Sequence, residues 1–210
     1  MNEIDLLALA RAQIQREAAV VAAIAAQLDD NLLHVARHVL ACQGHVLVAG
    51  SGTSHATALR MAHLMCCVGT PALFIHPGDA QHGTSGAVTA NDVVICISRG
   101  GETDEVNKLA RIAKSRGATI VAFTEKPEAT LGQISDFIVK VYADPKADLM
   151  DVITFGGSMA MSAMGDALCT VLLSLRGYSK TEFANTHPGG AFGKSISQSG
   201  NLCWGECASQ

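Results

Sequence analysis

Two stretches of the chain place glycines and hydroxyl residues directly behind apolar runs. His45-Val46-Leu47-Val48-Ala49 leads into Gly50-Ser51-Gly52-Thr53-Ser54, and the run Asp92 to Ser98 leads into Arg99-Gly100-Gly101-Glu102-Thr103. A buried strand that turns through such residues into a helix presents unpaired N–H groups and hydroxyls at the positive end of the helix dipole. That chemistry holds phosphate. The first turn lacks the third glycine and the later acidic residue of a dinucleotide site, and it is not a P-loop. Alone, it reads equally well as an ordinary tight strand-to-helix connection. Two such turns, each at the carboxyl end of a parallel strand, lie where open α/β sheets bind ligands. A small phosphate-bearing molecule is therefore the expected ligand, with Ser51, Thr53, Ser54, Ser98 and Thr103 supplying hydroxyls.

The elements that must carry these turns follow from periodicity. Ile4 to Leu28 has apolar residues at helical spacing and no Gly or Pro, which predicts one helix of about seven turns. That length exceeds what one small sheet covers, so a partner subunit is expected on it. Asp29 or Asp30 caps a second helix through Ala41. Strands are predicted at 45–49, 72–75, 92–98, 118–124 and 137–141, with helices at 56–68, 104–116 and 155–176, the last ended by Gly177. Residues 181–184 form a short helical turn, and the charged segment Ala143 to Ile153 is a loop. Strand–helix alternation at this spacing predicts an α/β fold, a doubly wound parallel sheet of five strands.

Composition narrows the partners. The 210 residues are 49% apolar and 16% charged, with a net charge of −4, which suits helices on a buried sheet and leaves no basic face for nucleic acid. Seven cysteines, an odd number with several inside apolar runs, read as reduced thiols. No basic-then-apolar leader opens the sequence, and no apolar run is read as reaching the ~18 residues of a membrane span, so a cytoplasmic location is expected. One domain is expected over 1–197, with residues 1–42 as N-terminal helices making oligomer contacts and 198–210 as a frayed tail.

The blocks GSGTS, GTPALFIHPGDAQHG, ISRGGETDE, MGDAL and FANTHPGGAFG resemble the sugar isomerase (SIS) domain, in its arabinose-5-phosphate isomerase branch, over residues 30–195. The resemblance implies a flavodoxin-like sheet, an aldose–ketose interconversion of a sugar phosphate through a cis-enediol, no cofactor, and a tetramer whose neighbouring subunits complete each other's sites. It implies no paired cystathionine-β-synthase-type domains here, because the chain stops too early for them. It places His187 on a catalytically relevant histidine, Glu105 on a catalytically relevant glutamate, His82 on a substrate-contacting histidine and Gly69-Thr70 on a substrate-binding pair. His76 falls on a histidine that binds an inhibitory zinc.

The chain departs from that pattern at three places. Thr53 replaces a lysine, Lys146 stands where a glutamate is expected, and Ser98-Arg99-Gly100-Gly101-Glu102 replaces Ser-x-Ser-Gly-Glu. Arg99, with its bidentate fork, and Lys146 are therefore the expected replacements for the lost cation. Asp144, Asp148 or Asp151 are the candidates for the lost carboxylate. A second reading keeps the phosphate cradle without turnover, as a sensor of phosphosugars, and a third is isomerisation of a hexulose or heptose phosphate. Each residue also has a structural reading: His187 as a helix end, Glu105 and Glu102 as first-turn carboxylates favoured by the dipole, His76 and His82 as turn residues, Arg99 as a solvated charge.

Overall fold

The computed structural model describes residues 3–188; the C-terminal part of the last resembling block and the expected tail at 198–210 lie outside the described residues. Five parallel strands form one sheet in the order β2-β1-β3-β4-β5. They are β1 Val46–Gly50, β2 Ala72–Phe74, β3 Val93–Ile97, β4 Thr119–Thr124 and β5 Phe137–Lys140. β1, β3 and most of β4 are buried on both faces, as a sheet covered by helices on each side requires. One face carries Val46, Val48, Val93, Ile95, Ile97, Val121 and Phe123, which meet α2 (Asp30–Ala41), α3 (Thr53–Cys67) and α7 (Gly156–Arg176). The other carries Leu47, Ala49, Val94, Cys96, Ile120 and Ala122 against α5 (Asp104–Ser115) and the short helices α4 (Pro77–Ala80) and α6 (Thr130–Ile134). The expected doubly wound fold is the one observed.

The differences from the sequence reading are local. Helix α3 starts at Thr53, inside the first glycine turn, and no linker separates turn from helix. The strand leaves through Gly50, where a Cβ would lie 2.5 Å from the Ser54 carbonyl oxygen, so only glycine lets the helix fold back this tightly. Helices α4 and α6 are too short for an apolar period to announce them. Helix α7 has the length and hydropathy to cross a membrane, contrary to the expectation that no segment does. Its residues Ala160, Met161, Met164, Leu168 and Leu172 are nevertheless buried against the sheet, as in a core helix. The last described helix, α8 (Lys180–Thr186), carries a capping box between Ser179 and Glu182.

Helix α1 (Glu3–Ile24) runs on through a 3₁₀ turn at Ala25–Gln27 and packs on α7 and the 142–147 segment. It buries Gln13, Val20 and Ile24, whereas Leu7, Ile14, Val21 and Leu28, spaced by seven residues, stay 56, 66, 40 and 45% exposed. The apolar repeat of Leu7, Ile14 and Val21 thus faces away from the domain.

At the opposite end of the sheet, Asp92 joins the starts of the two central strands. Its carboxylate accepts from His45 N–H at 2.7 Å, Thr89 N–H at 2.6 Å and Thr89 Oγ1 at 3.0 Å. Burial pushes this group toward its neutral form, but the hydrogen bonds from His45 and Thr89 outweigh burial and hold the carboxyl below its ordinary value. A depressed folded-state pKa contributes stability above the unfolded value of about 3.9, and that contribution is lost as pH falls through the lower folded value. Asp92→Asn is therefore expected to cost about 1–3 kcal/mol at neutral pH. Chemical denaturation at pH 7 and near pH 3 should show the gap from wild type shrinking in acid; a gap independent of pH would assign the role to shape alone.

Candidate active site

In a sheet of this order the chain reverses direction of winding between β1 and β3, and the crevice outside their carboxyl ends is the ligand position of open α/β sheets. Gly50 and Ile97 are register partners, so the two glycine turns leave the sheet side by side. Gly52, with φ of 61°, closes the first turn and precedes α3 with no side-chain cap. Thr103 precedes α5, also with no side-chain cap, because its hydroxyl is paired with Ser98 Oγ at 2.9 Å. The two turns are joined by a hydrogen bond from Ser51 Oγ to Glu105 Oε2 at 3.0 Å, so the expected base sits in the same crevice as the expected phosphate turn.

The first N–H groups of the other helices from α2 to α8 are occupied. Asp29, His76 and Ser179 cap α2, α4 and α8 with their own side chains. Glu102 accepts from Thr130 N–H at the start of α6, and Asp148 accepts from Gly157 N–H at the start of α7. Among these described helices, α3 and α5 alone are left open, and both open onto the crevice. Their positive ends sum at one place, as an anion site needs.

Several residues expected to touch ligand are committed elsewhere. Arg99 does not extend its fork into the crevice. It donates through Nε to Glu125 at 2.8 Å, through Nη1 to Asp148 in a short ion pair, and through Nη2 to the Ala143 carbonyl at 3.3 Å. Burial works against the Arg99 charge, but the bonds to Glu125 and Asp148 prevail and raise its pKa. Arg99, expected to replace the missing lysine, is thus paired in this structure with two carboxylates and a carbonyl outside the crevice. Glu102 is likewise taken by Thr130, at 2.8 Å to N–H and 2.7 Å to Oγ1, and those bonds hold its carboxyl below the ordinary range. Of the candidate replacement carboxylates, Asp148 is the buried partner of Arg99. Lys146 is exposed and lines a groove with Arg16, Val20 and Tyr142 beyond β5.

His55, from the first turn of α3, packs its ring on Phe74 at 4.5 Å and on His76 at 5.5 Å. His76 caps α4, with Asp79 Oδ2 at 3.9 Å, and His82 follows α4 as an exposed residue. His55 and His76 thus stand together beyond the carboxyl end of β2. Position in the first helical turn is the signal that could have drawn His55 into the site. No group of three metal-ligating side chains converges among the described residues.

His187, Gly69 and Thr70 lie at the other end of the sheet. Helix α3 runs 15 residues, about 22 Å, from the crevice to Cys67. There Cys67 Sγ sits 3.4 Å from His187 Nε2. The Phe183 carbonyl, 3.0 Å from His187 Nδ1, can only accept, so Nδ1 carries the proton and Nε2 receives the thiol. Burial and neighbouring Cys66 push the Cys67 thiol up, which keeps it a donor. Phe183 stacks on the imidazole at 3.9 Å. Gly69, with φ of 76°, lies against Tyr178, and Thr70 is buried, its hydroxyl accepting from Arg176 Nε at 3.2 Å. One copy of the chain therefore brings Ser51, Thr53, Ser54 and Glu105 together, and holds His187 apart from them.

These features define an open parallel α/β domain whose switch point is built to receive a small anion. The chain belongs to the SIS domain family, whose model matches residues 39–175. It is 32% identical over 184 residues to arabinose 5-phosphate isomerase KdsD of Yersinia pestis, covering 88% of this chain and 56% of that protein. It is 31% identical over 195 residues to the protein of that name from Pseudomonas aeruginosa, covering 93% and 60%. Among solved structures, the c3406 protein of Escherichia coli CFT073 in complex with arabinose 5-phosphate superposes with a TM-score of 0.85 at 29% identity, over 90% of this chain and 100% of that one. The chain spans a little over half the length of the curated relatives it matches.

Removing Arg99 leaves Asp148 buried with one N–H partner. Arg99→Ala is expected to cost about 2–4 kcal/mol in chemical denaturation, at the lower side of buried ion-pair removal because the guanidinium keeps some contact with water. Arg99→Lys should recover only part of this, since one ammonium nitrogen cannot reach three acceptors set around a planar fork. A cost below about 1 kcal/mol, the range of exposed pairs, would show that the carboxylates relax into solvent.

Proposed function

We propose that the chain is a sugar-phosphate aldose–ketose isomerase that interconverts an aldose phosphate and its ketose through a cis-enediol, with arabinose 5-phosphate and ribulose 5-phosphate as the first pair to assay. The observation that carries this reading is the pair of uncapped helix N-termini, α3 and α5, meeting at the switch point with Glu105 hydrogen-bonded across them. The likeness to proteins named arabinose 5-phosphate isomerase supports the choice of sugar.

In this mechanism the N–H groups of Gly52, Thr53 and Ser54 and the hydroxyls of Ser51, Thr53 and Ser54 hold the phosphate, and Ser98 and Thr103 back the second turn. Glu105, which shares the crevice with the first turn, moves the proton between C1 and C2. His82 contacts the sugar in this reading. His187 serves ring opening or proton transfer in the crevice of another copy, because its own crevice is about 20 Å away along α3. Gly69-Thr70, near His187, would enter the same neighbouring site, and His76 is the position for an inhibitory metal. A homo-oligomer, favoured as a tetramer, follows from this division and from the exposed stripe on α1, and a cytoplasmic location is proposed with it.

A second reading is favoured by the charge distribution. Thr53 brings no cation to the first turn, and Arg99 is neutralised by Glu125 and Asp148. A cradle without a mobile cation suits a phosphosugar sensor that binds and releases without turnover.

Incubation with sugar phosphates in deuterated water separates the two. The isomerase should wash deuterium into C2 of arabinose 5-phosphate, and Glu105→Gln should slow the wash-in by about 10²–10⁴-fold. Binding without any label would leave the sensor. Mixing inactive Glu105→Gln with inactive His187→Ala should restore part of the activity, since a mixed oligomer contains crevices with both groups intact. No recovery from co-refolded chains would place His187 outside the mechanism of a shared site.

A further inference from the structure

Between β5 and α7, Leu149 and Ile153 pair as an antiparallel bridge, and the turn they close holds both Met150 and Asp151 at φ of 57°. Side chains disfavour that left-handed backbone, Met more than Asp, and a tight turn of this kind calls for Asn or Gly. The tip held out in this way is apolar: Met150 is 81% and Val152 78% exposed, with Leu149 and Ile153 exposed beside them. Neither the backbone strain nor the exposure stabilises the free chain.

The residues immediately before this turn form one wall of a groove of about 260 Å³, and helix α1 forms the other. The walls are fixed to each other. Gln13 Nε2 donates to the Ala147 carbonyl at 2.8 Å, and Gln27 exchanges two hydrogen bonds with the Tyr142 backbone, at 3.0 and 2.8 Å. Ala19, Val20 and Ala23 give the groove an apolar lining, and Arg16, Asp144 and Lys146 are its charged groups. Asp144 accepts from the Lys146 N–H at 3.0 Å, and Arg16 donates to Gln13 Oε1 at 2.7 Å, so neither cation has an ion-pair partner among the described residues. A closed apolar cavity of ~150 Å³ takes benzene, so a groove of this size accepts one or two apolar side chains and not a helix. Met150 does not line the groove of its own chain.

We propose that the Met150 turn and this groove are the two halves of one interface, and that the occupant is a second copy of the chain. Met150 of each copy enters the groove of the other, against Ala19, Val20 and Ala23. Asp151, next to it on the tip, meets the cations Arg16 and Lys146 at the rim. Knob and hole lie on adjoining stretches of the same chain, so a two-fold axis between them makes both contacts at once and closes the assembly. Burial of Met150 and Val152 then offsets the strain that holds them out. This inference rests on the homo-oligomer of the proposed function and names a surface that holds it.

Sedimentation equilibrium of the full chain tests it with one variant on each half. Met150→Asn removes the knob while suiting the left-handed turn, and Ala23→Trp fills the groove from an exposed helix position. Each should raise the dissociation constant of one assembly step by about thirtyfold or more, the ~2 kcal/mol of an anchoring side chain, with the circular dichroism of the fold retained. Met150→Leu, which keeps the volume, should stay within about threefold of wild type. Assembly that both Met150→Asn and Ala23→Trp leave unchanged overturns this interface and leaves the shared site standing on some other surface. A loss with Met150→Asn alone also overturns it, because the groove would then not be what receives the knob. A wild-type chain that stays monomeric overturns the interface and the shared site together.

Discussion

The parallel pairing of β1 with β3 is the constraint on which the rest of the site depends. Because Val46 to Gly50 is in register with Val93 to Ile97, two chain segments far apart in sequence end at the same height and turn into helices at the same place. Neither turn alone gathers enough donors to hold a multiply charged oxyanion out of water. Side by side they supply two helix dipoles and a set of orphan N–H groups fixed by a sheet that is buried on both faces. Asp92 at the far end ties the starts of the same two strands, so the register is held from both ends.

Charge is distributed so that the crevice stays open. Each acidic side chain near the second turn has an assigned donor: Glu102 at the start of α6, Asp148 at the start of α7, Glu125 on Arg99. Glu105 is the exception, with only the Ser51 hydroxyl on it among the described residues. It is the carboxylate in the crevice with least to lose by engaging a ligand. Arg99 sits at the centre of the committed group, joining the turn after β3 to the end of β4 and the segment before α7. Its fork geometry, which matches phosphate, matches two carboxylates equally well, and the carboxylates are covalently at hand.

The separation of His187 from Glu105 has a geometric cause. A helix following a parallel strand carries the chain back to the start of the next strand, so residues on the closing side of α3 and α7 fall at the opposite edge from the glycine turns. Cys67, Thr70, Arg176 and His187 gather there for that reason. The shared site proposed above would join these two ends of the fold through a symmetric assembly. Leu7, Ile14 and Val21 of helix α1, and Leu28 just beyond it, are turned outward on one side of the domain.

Much of this is legible without coordinates. The five apolar runs, the glycine turns behind two of them, the Asp29 cap and the Gly177 stop are local signals, and local signals depend only on neighbours in the chain. The short helices α4 and α6 escape because four or five residues carry no period. Arg99 reads as a ligand contact because sequence reports a side chain's chemistry and not its partner; Glu125 and Asp148 reach it only after β4 and the 142–148 segment have folded over the turn. His187 and Glu105 can be named from motifs, yet their separation depends on where α3 ends. Residue type and spacing say which groups are fit for anion binding and proton transfer, because they set the donors and acceptors. Which of those groups are free to act is settled by the packing of distant segments, because a donor already paired inside the fold has nothing left to offer a ligand.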